Sequence, residues 1–285
     1  MKLNFFILIF FFLTMSCEAE LLEIKYFQKD QRYIYRIELL KLALSKSMKE
    51  EDTVIYIPFT EDITQSRGLY FLKNNPELVN IAFLPATRER EDSFLAVKKP
   101  ILYGMLGYRI FLIHKDNQSP FNDISSIEPF IDGTLLCGFG SQWADMKILN
   151  HNKLNTVGIA VYEHLFKALN HKRFDYFPRG INEAWKEFES KKNKYKNIIV
   201  EKNTAFYYPY PVYFFVNKNN QKLASLIEKG LDAAEKDSSM KELFLKHHKE
   251  IIKKTTLSKR KIFKLENPEI PDQETICSDW WLEMY

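Results

Sequence analysis

Strand-like and helix-like patterns of apolar residues alternate along the whole chain. Short runs rich in β-branched and aromatic residues have the pattern of buried strands, and they lie at 21–27, 53–59, 79–85, 133–140, 155–162 and 174–177. The segments between them place apolar residues at the three-to-four-residue spacing of helices. Strands separated by helices predict an α/β fold with parallel sheets covered by helices on both faces.

Two long apolar runs, 103–115 and 206–218, bracket a region that is itself a complete α/β unit. We therefore predict two lobes, with lobe two inserted in lobe one and two strands crossing between them. The predicted boundaries are 1–19 for a signal peptide, 20–105 and 207–285 for lobe one, and 106–206 for lobe two. The cleft between such lobes is the expected ligand site.

The N-terminus has the pattern of a secretory signal. Lys2 precedes the apolar run Phe5–Leu13, and small residues follow it. The run is too short to anchor a protein in a bilayer, so we expect cleavage after Ala19 and export to the periplasm. Lipidation of Cys17 is an alternative, although Thr14 stands where bacterial lipoproteins usually have an aliphatic residue.

Composition indicates an ordinary globular protein, with 46% hydrophobic and 27% charged residues among 285. The net charge of +4 is small, and both signs are mixed along the chain. Nucleic-acid binding usually needs a concentrated basic stripe, so it is not predicted. The most basic stretch, 191–196 (KKNKYK), is typical of a solvated helix end. No later apolar segment is long enough to cross a membrane.

Neither the cysteines nor the histidines point to a metal or redox site. After processing, Cys137 and Cys277 remain, and they either pair in an oxidising compartment or stay as buried free thiols. His247 and His248 are adjacent on a predicted helix and point in different directions. We predict no metal and no cofactor.

No catalytic residue is predicted. The chain lacks the Gly-x-Ser-x-Gly, His-Glu-x-x-His and Cys-x-x-Cys motifs. Glu183 and Glu187 lie one helical turn apart and are the best acid–base candidates. Such pairs are usually surface charges, and we predict that role for them.

Three places have the residues of a ligand site. The strand 174–177 leads into Arg179 and Gly180 just before a helix, and α/β proteins bind ligands at the carboxyl ends of strands. Gly140 and Ser141 occupy a second strand-to-helix turn, where the backbone can approach an anion. Ser141 could instead serve only as a helix N-cap.

Aromatic residues offer a third place. Tyr26 and Tyr33 flank the end of the first predicted strand and could form a stacking wall for a ligand. Most other aromatic residues, including 206–208 and 213–215, are expected in the core, and Trp280 and Trp281 are expected to pack onto a lobe.

Three segments together resemble a known family. They are TRERED (87–92), GYRIFLIHK with the later GFGSQWADMKIL, and KRFDYFPRGINEAW with the later YPVYFFVNK. Their order and spacing, over about residues 21–255, resemble type 2 periplasmic solute-binding proteins in the branch of amino-acid ABC transporters. The resemblance implies a type II periplasmic-binding fold whose lobes close on a small ligand.

The resemblance also implies a carboxylate site at Thr87 and Arg90, which match the family's Thr-x-x-Arg element. A guanidinium offers a planar fork of donors that fits a carboxylate. Arg88 competes for this role. Alternatively, residues 88–92 form a solvated cluster of self-paired charges.

One position departs from the family. Where amino-acid-binding relatives commonly supply an aspartate for the ligand's ammonium group, this chain has Arg179 or Gly180. Arg179 would repel an ammonium and attract an anion, which predicts an acidic ligand without a standard amino-acid head group. Alternatively, Arg179 pairs with Glu183 four residues later.

These features favour a monomeric, non-catalytic solute-binding protein that serves a membrane permease or a membrane sensor. Two rival functions stay open. One is an enzyme on the same scaffold, since fold alone does not decide function. The other is a surface-interaction protein whose cleft binds nothing.

Overall fold

The computed structural model describes residues 19–270 and 280–284. Lobe one contains two small sheets that lie side by side. Their strands are β1 (Leu21–Tyr26), β2 (Thr53–Pro58), β3 (Ile81–Pro85), β4 (Leu95–Val97) and β10 (Val212–Val216). β1 and β2 are parallel, and β10 lies between β3 and β4 and is antiparallel to both. Asn80 joins the two sheets, because its backbone and side chain both bond to the backbone of Lys25.

Helices cover both faces of lobe one. They are α1 (Ile34–Ser47), α2 (Gln65–Asn74), α3 (Arg88–Ser93), α8 (Gln221–Lys236) and α9 (Ser239–Thr255). α1 and α8 approach closely at Gly230, where an added Cβ would lie 1.8 Å from the Ala43 carbonyl oxygen.

Lobe two is built on one six-stranded sheet in the order β11-β9-β5-β8-β6-β7. The strands are β5 (Tyr108–His114), β6 (Cys137–Gly140), β7 (Thr156–Ile159), β8 (Tyr176–Gly180), β9 (Ile198–Tyr207) and β11 (Lys261–Lys264). The helices are α4 (Glu128–Ile131), α5 (Asp145–His151), α6 (Tyr162–Asn170) and α7 (Ile181–Lys191). Every residue of β5 is buried, as expected for a strand in the middle of a covered sheet.

The α/β fold and the two-lobed architecture predicted from the sequence are confirmed. The sheet of lobe two is mixed rather than purely parallel, because β5 runs antiparallel to both β8 and β9. The run 206–218 is not one strand: it belongs to β9 up to Tyr207 and to β10 from Val212. Two prolines at 209 and 211 lack the amide donor that a continuous ladder would need.

The chain after residue 207 does not stay in lobe one as predicted. β11 adds in parallel to the edge of β9 in the sheet of lobe two. The following residues run back along the connection between the lobes, where the Asn267 side chain donates to the Pro209 carbonyl oxygen at 2.7 Å. Ile270 then enters an apolar cluster of lobe one with Phe27 and Leu84. The tail therefore contacts both lobes.

The two chain segments that connect the lobes contact each other at Gly107 and Tyr208. A Cβ at Gly107 would lie 2.2 Å from the Tyr208 carbonyl oxygen, so only glycine fits there. Gly104, with φ 74°, and Tyr103, with φ 45°, turn the first segment through the left-handed region. The indole of Trp281 donates to the Tyr103 carbonyl oxygen at 2.8 Å, so this tryptophan packs onto the first segment.

Some predictions concern residues outside this description. The signal segment (apart from Ala19), Cys17 and Cys277 are not among the described residues. Cys137 is buried with a free thiol, and burial raises the pKa of that thiol. None of the helices in residues 19–270 or 280–284 is long and apolar enough to cross a membrane.

His248 of α9 makes stability depend on pH. Its ring packs between Tyr35 and Phe244, both ring nitrogens lack hydrogen-bond partners in the described chain, and burial lowers its pKa to about 3. The unfolded chain binds a proton near pH 6.5. This contribution to stability is therefore present above pH 6.5 and is lost as the pH falls towards 3.

Through His248, the wild type should lose about 2 kcal/mol of unfolding free energy when the pH falls from 7 to 5. We expect His248→Phe to remove this loss. Urea denaturation at both pH values measures this loss, and the same substitution at the exposed His171 is the control. Equal pH dependence in the wild type and in His248→Phe would contradict the prediction.

Candidate functional site

A cleft of about 1240 Å³ lies between the two lobes. Residues from the β1–α1 connection, from α2 and from α3 line it on the side of lobe one. Residues around the end of β6, the end of β8 and the start of α7 line it on the side of lobe two. The cleft is therefore formed where several strands end, as expected for a ligand site in an α/β protein.

The structure places Thr87 and Arg90 together on the cleft wall of lobe one. Thr87 caps α3, because its hydroxyl accepts from the Arg90 backbone amide at 3.3 Å. The cap turns the Arg90 side chain back towards β3, where Nη1 donates to the Pro85 carbonyl oxygen at 2.6 Å. Arg88, the competing candidate, is exposed and is not part of the cleft wall.

Arg90 is only 9% exposed. Among the described residues, no carboxylate forms an ion pair with it, and its one hydrogen bond from the side chain goes to a neutral carbonyl. Arg90 therefore does not belong to a self-paired charge cluster within residues 88–92. The remaining donors of its guanidinium are available to a ligand, although the ligand role of Thr87 and Arg90 remains a prediction.

Arg179 has a different environment from the predicted one. It lies inside β8, with Gly180, rather than in an open turn. Its guanidinium is 4% exposed and binds Glu187 through two bonds, from Nε at 2.7 Å and from Nη2 at 2.6 Å. Glu183 lies 3.1 Å away, so the predicted alternative of a Glu183 pair is present. The indole of Trp143 covers the guanidinium, with 4.7 Å between Cζ and the ring centre.

Glu187 was predicted to be a surface charge, and this is wrong. It is buried between Arg179 and the hydroxyl of Tyr162, which donates to it at 2.8 Å. Glu187 lies on the face of α7 that packs against β8, and a buried carboxylate persists only where it is paired.

A second buried ion pair lies beside the first. Arg109 of β5 contacts Asp145 at 2.7 Å and Glu183 at 3.6 Å. Asp145 also accepts from the hydroxyls of Tyr208 and Tyr210, each at 2.7 Å. Burial alone would raise the pKa of Asp145, but Arg109 and the two hydroxyls outweigh it and hold the pKa below its usual value. Arg109 and Arg179 are therefore both neutralised within lobe two.

The structure gives Gly140 a packing role. A Cβ at this position would lie 2.3 Å from the Trp143 ring, so glycine is needed for the indole to reach Arg179. Ser141 lines the cleft and is not a helix cap, because α5 begins later, with Ala144 as its N-cap.

The two predicted aromatic residues are separated. Tyr26 is buried in the core of lobe one against Phe83 and does not line the cleft. Phe27, the first residue after β1, lines the cleft in its place. Tyr33 does line the cleft, and the guanidinium of Arg36 lies 5.1 Å from its ring centre.

Sequence reasoning missed several residues of the cleft, namely Arg36, Arg109, Asp145 and Asn182. Arg109 could have been found, because it is a lone charge within an otherwise apolar strand. Arg36 gives no such signal, since it lies on a helix that carries other charges. Asn182 is buried, and its Oδ1 has no hydrogen-bond partner among the described residues.

A metal site is not apparent in the described chain. Within residues 19–270 and 280–284, no group of three His, Cys, Asp or Glu side chains could hold a metal ion.

Comparison with known proteins finds similarity of three-dimensional structure. No family model matches the sequence, and no curated protein matches it. A Salmonella typhimurium periplasmic binding protein with high arginine specificity superposes with a TM-score of 0.56 at 12% identity, over 80% of this chain and 99% of that one. A probable amino-acid ABC transporter extracellular-binding protein from Bacillus subtilis gives 0.56 at 18% identity, over 81% and 98%.

An ancestral amino-acid-binding protein, a precursor of cyclohexadienyl dehydratase, gives a TM-score of 0.53 at 16% identity, over 80% of this chain and 94% of that one. These likenesses show that the chain has the two-lobed fold of periplasmic amino-acid-binding proteins. The identities are low, so the fold is what they establish.

Proposed function

We propose that this protein is an exported solute-binding protein that closes its two lobes on a small polar ligand with an acidic group. Closure would follow from the higher affinity of the closed state for a ligand that contacts both walls. The loaded protein would then be recognised by an ABC permease or by a membrane sensor. The signal-like N-terminus supports export to the periplasm, and a monomer suffices for this mechanism.

The observation that carries the proposal is that Arg90 has no ion-pair partner among the described residues. This buried cation lines the cleft and has no carboxylate partner in the described chain. Burying a charge without a counter-ion is costly, and an acidic ligand would supply the missing partner. A guanidinium binds a carboxylate through two parallel bonds, which adds geometric specificity.

Arg179 is paired with carboxylates of its own lobe, so it gives no support for an acidic ligand. Glu183 and Glu187 together carry more negative charge than its one positive charge. The acidic ligand is therefore proposed from the wall of lobe one, and the wall of lobe two would contribute shape and the stacking surface of Trp143.

The protonation state of the cleft carboxylates argues against one kind of catalysis, general-acid catalysis, and so supports a binding role. Burial would raise the pKa of Glu183, but Arg179 and Arg109 hold it below its usual value, as Arg109 does for Asp145. A general acid near neutral pH needs a raised pKa instead. Turnover of a bound compound would contradict the binding role.

We expect Arg90→Met to weaken binding of acidic ligands about 100-fold, because truncating one partner of a buried charge pair costs several kcal/mol. Thermal shift against amino acids, organic acids, peptides and sugars identifies a ligand, and titration calorimetry then measures its affinity. A ligand at about 100 times its dissociation constant adds roughly 2.7 kcal/mol of stability.

Arg88→Met is the matched control, because Arg88 lies on the same short helix, is exposed and does not line the cleft. It should leave affinity unchanged. Equal affinities of the Arg90→Met variant and the wild type would reject the proposed role of Arg90. A protein that binds none of the compounds would reject the proposed function.

A further inference from the structure

The wall of lobe one carries a second arginine without a carboxylate partner. Arg36 of α1 is 6% exposed and lines the cleft. Its Nη1 donates to the Phe83 carbonyl oxygen at 2.9 Å, and the described chain offers no carboxylate within ion-pair distance. Burial lowers the pKa of Arg36, and the opposing influence of Tyr33 and Glu183 is weaker. Arg36 is therefore a desolvated cation whose charge the protein leaves largely uncompensated.

Two other cations of the same wall are neutralised. Arg32, one turn before Arg36, binds Asp30 through two bonds, at 3.0 and 2.8 Å. Lys29 lies 3.1 Å from Asp62. The lack of a counter-ion is thus particular to Arg36 and Arg90 among the four, and both are buried.

The spacing of the two arginines is set by β3. Arg36 bonds to the carbonyl of Phe83 and Arg90 to the carbonyl of Pro85, two residues further along. Carbonyls two residues apart point to the same side of a strand and lie about 7 Å apart. Both guanidinium groups are therefore held on the same side of β3 in one wall of the cleft, although they come from different helices.

We propose that the cleft takes a ligand with two acidic groups, one bound by Arg90 and the other by Arg36. This inference rests on the proposed function and narrows the ligand to a short dicarboxylate or an acidic amino acid. The cleft volume of about 1240 Å³ has room for both groups. Arg109 and Arg179 do not compete for them, because the carboxylates of lobe two already bind these cations.

The test compares compounds that differ only in the second acidic group. Titration calorimetry of the purified protein measures glutamate against glutamine, and succinate and adipate against butyrate and hexanoate. We expect the diacid of a pair to bind at least about tenfold more tightly. Arg36→Met should abolish this preference and keep binding of the monoacid, whereas Arg90→Met should weaken both members of the pair.

Arg32→Met is the matched control and should keep the diacid preference, since Asp30 already neutralises Arg32. Circular dichroism checks the fold of each variant. Should Arg36→Met not fold, Arg36→Gln removes the charge but retains a donor for the Phe83 carbonyl.

The outcomes separate this inference from the proposed function. Monoacids that bind through Arg90 as tightly as diacids would overturn the inference and leave the proposed function in place. A full diacid preference in the folded Arg36 variants would also overturn it. If neither kind of acid binds, the acidic ligand of the proposed function fails, and this inference fails with it.

Discussion

Replacing Arg179 by methionine is expected to lower the free energy of unfolding by about 3–5 kcal/mol. The substitution leaves Glu187 buried with only the Tyr162 hydroxyl, and it leaves Glu183 with the more distant Arg109. Removing one partner of a buried ion pair strands the other charge in a medium of low polarity. Urea denaturation followed by circular dichroism measures the change.

Two further variants make this prediction specific. Arg179→Met combined with Glu187→Met should recover much of the lost stability, because replacing both buried charges by apolar groups is often neutral. Lys192→Met, which breaks the exposed pair with Glu189, should change stability by less than about 1 kcal/mol. A loss below 1 kcal/mol in Arg179→Met would show that the Glu187 pair does not hold Arg179 in the folded protein.

The periodicity of the chain predicted the alternation of strands and helices, since buried strands such as β3 are apolar runs and β5 is apolar apart from Arg109 and His114. It missed β9, whose sequence IIVEKNTAFY carries a buried glutamate in its middle. Glu201 is tolerated there because it accepts from the backbone amides of Asn203 and Thr204 and from Gln118. These partners depend on the fold of the chain, and no local pattern indicates them.

The C-terminal tail is a second region whose structure the local sequence pattern did not predict. Its short strand β11 has little apolar character, with Lys261 and Lys264 at its ends. It becomes a strand because the edge of β9 offers unpaired backbone groups. Pairing with an edge depends on which element ends beside it, so the sequence alone did not indicate that this part of the tail joins the sheet of lobe two.

The candidate site was predictable where one short motif supplies both the backbone cap and the side chain. Thr87 and Arg90 are such a case, since the cap and the arginine belong to the same turn. Arg179 was placed near the cleft, but its partner Glu187 lies eight residues away on the buried face of α7. Whether a helical glutamate faces solvent or a buried arginine depends on how the helix packs.

Trp281→Ala is the second variant with a large expected effect, a loss of about 3–5 kcal/mol in unfolding free energy. The side chain of Trp281 is 0% exposed and packs edge-on against Tyr108, with 5.4 Å between ring centres. Its indole nitrogen also donates to the Tyr103 carbonyl oxygen. The substitution therefore leaves a cavity and an unpaired carbonyl in the first segment that connects the lobes.

The neighbouring tryptophan provides the control. Trp280 is partly exposed, and its indole nitrogen has no hydrogen-bond partner in the described chain, so Trp280→Ala should cost less than half as much. Denaturation of both variants and of the wild type compares them directly. Equal losses would mean that general packing of the tail matters and the bond to Tyr103 does not. A loss larger at Trp281 would mean that the end of the chain stabilises the connection on which closure of the two lobes depends.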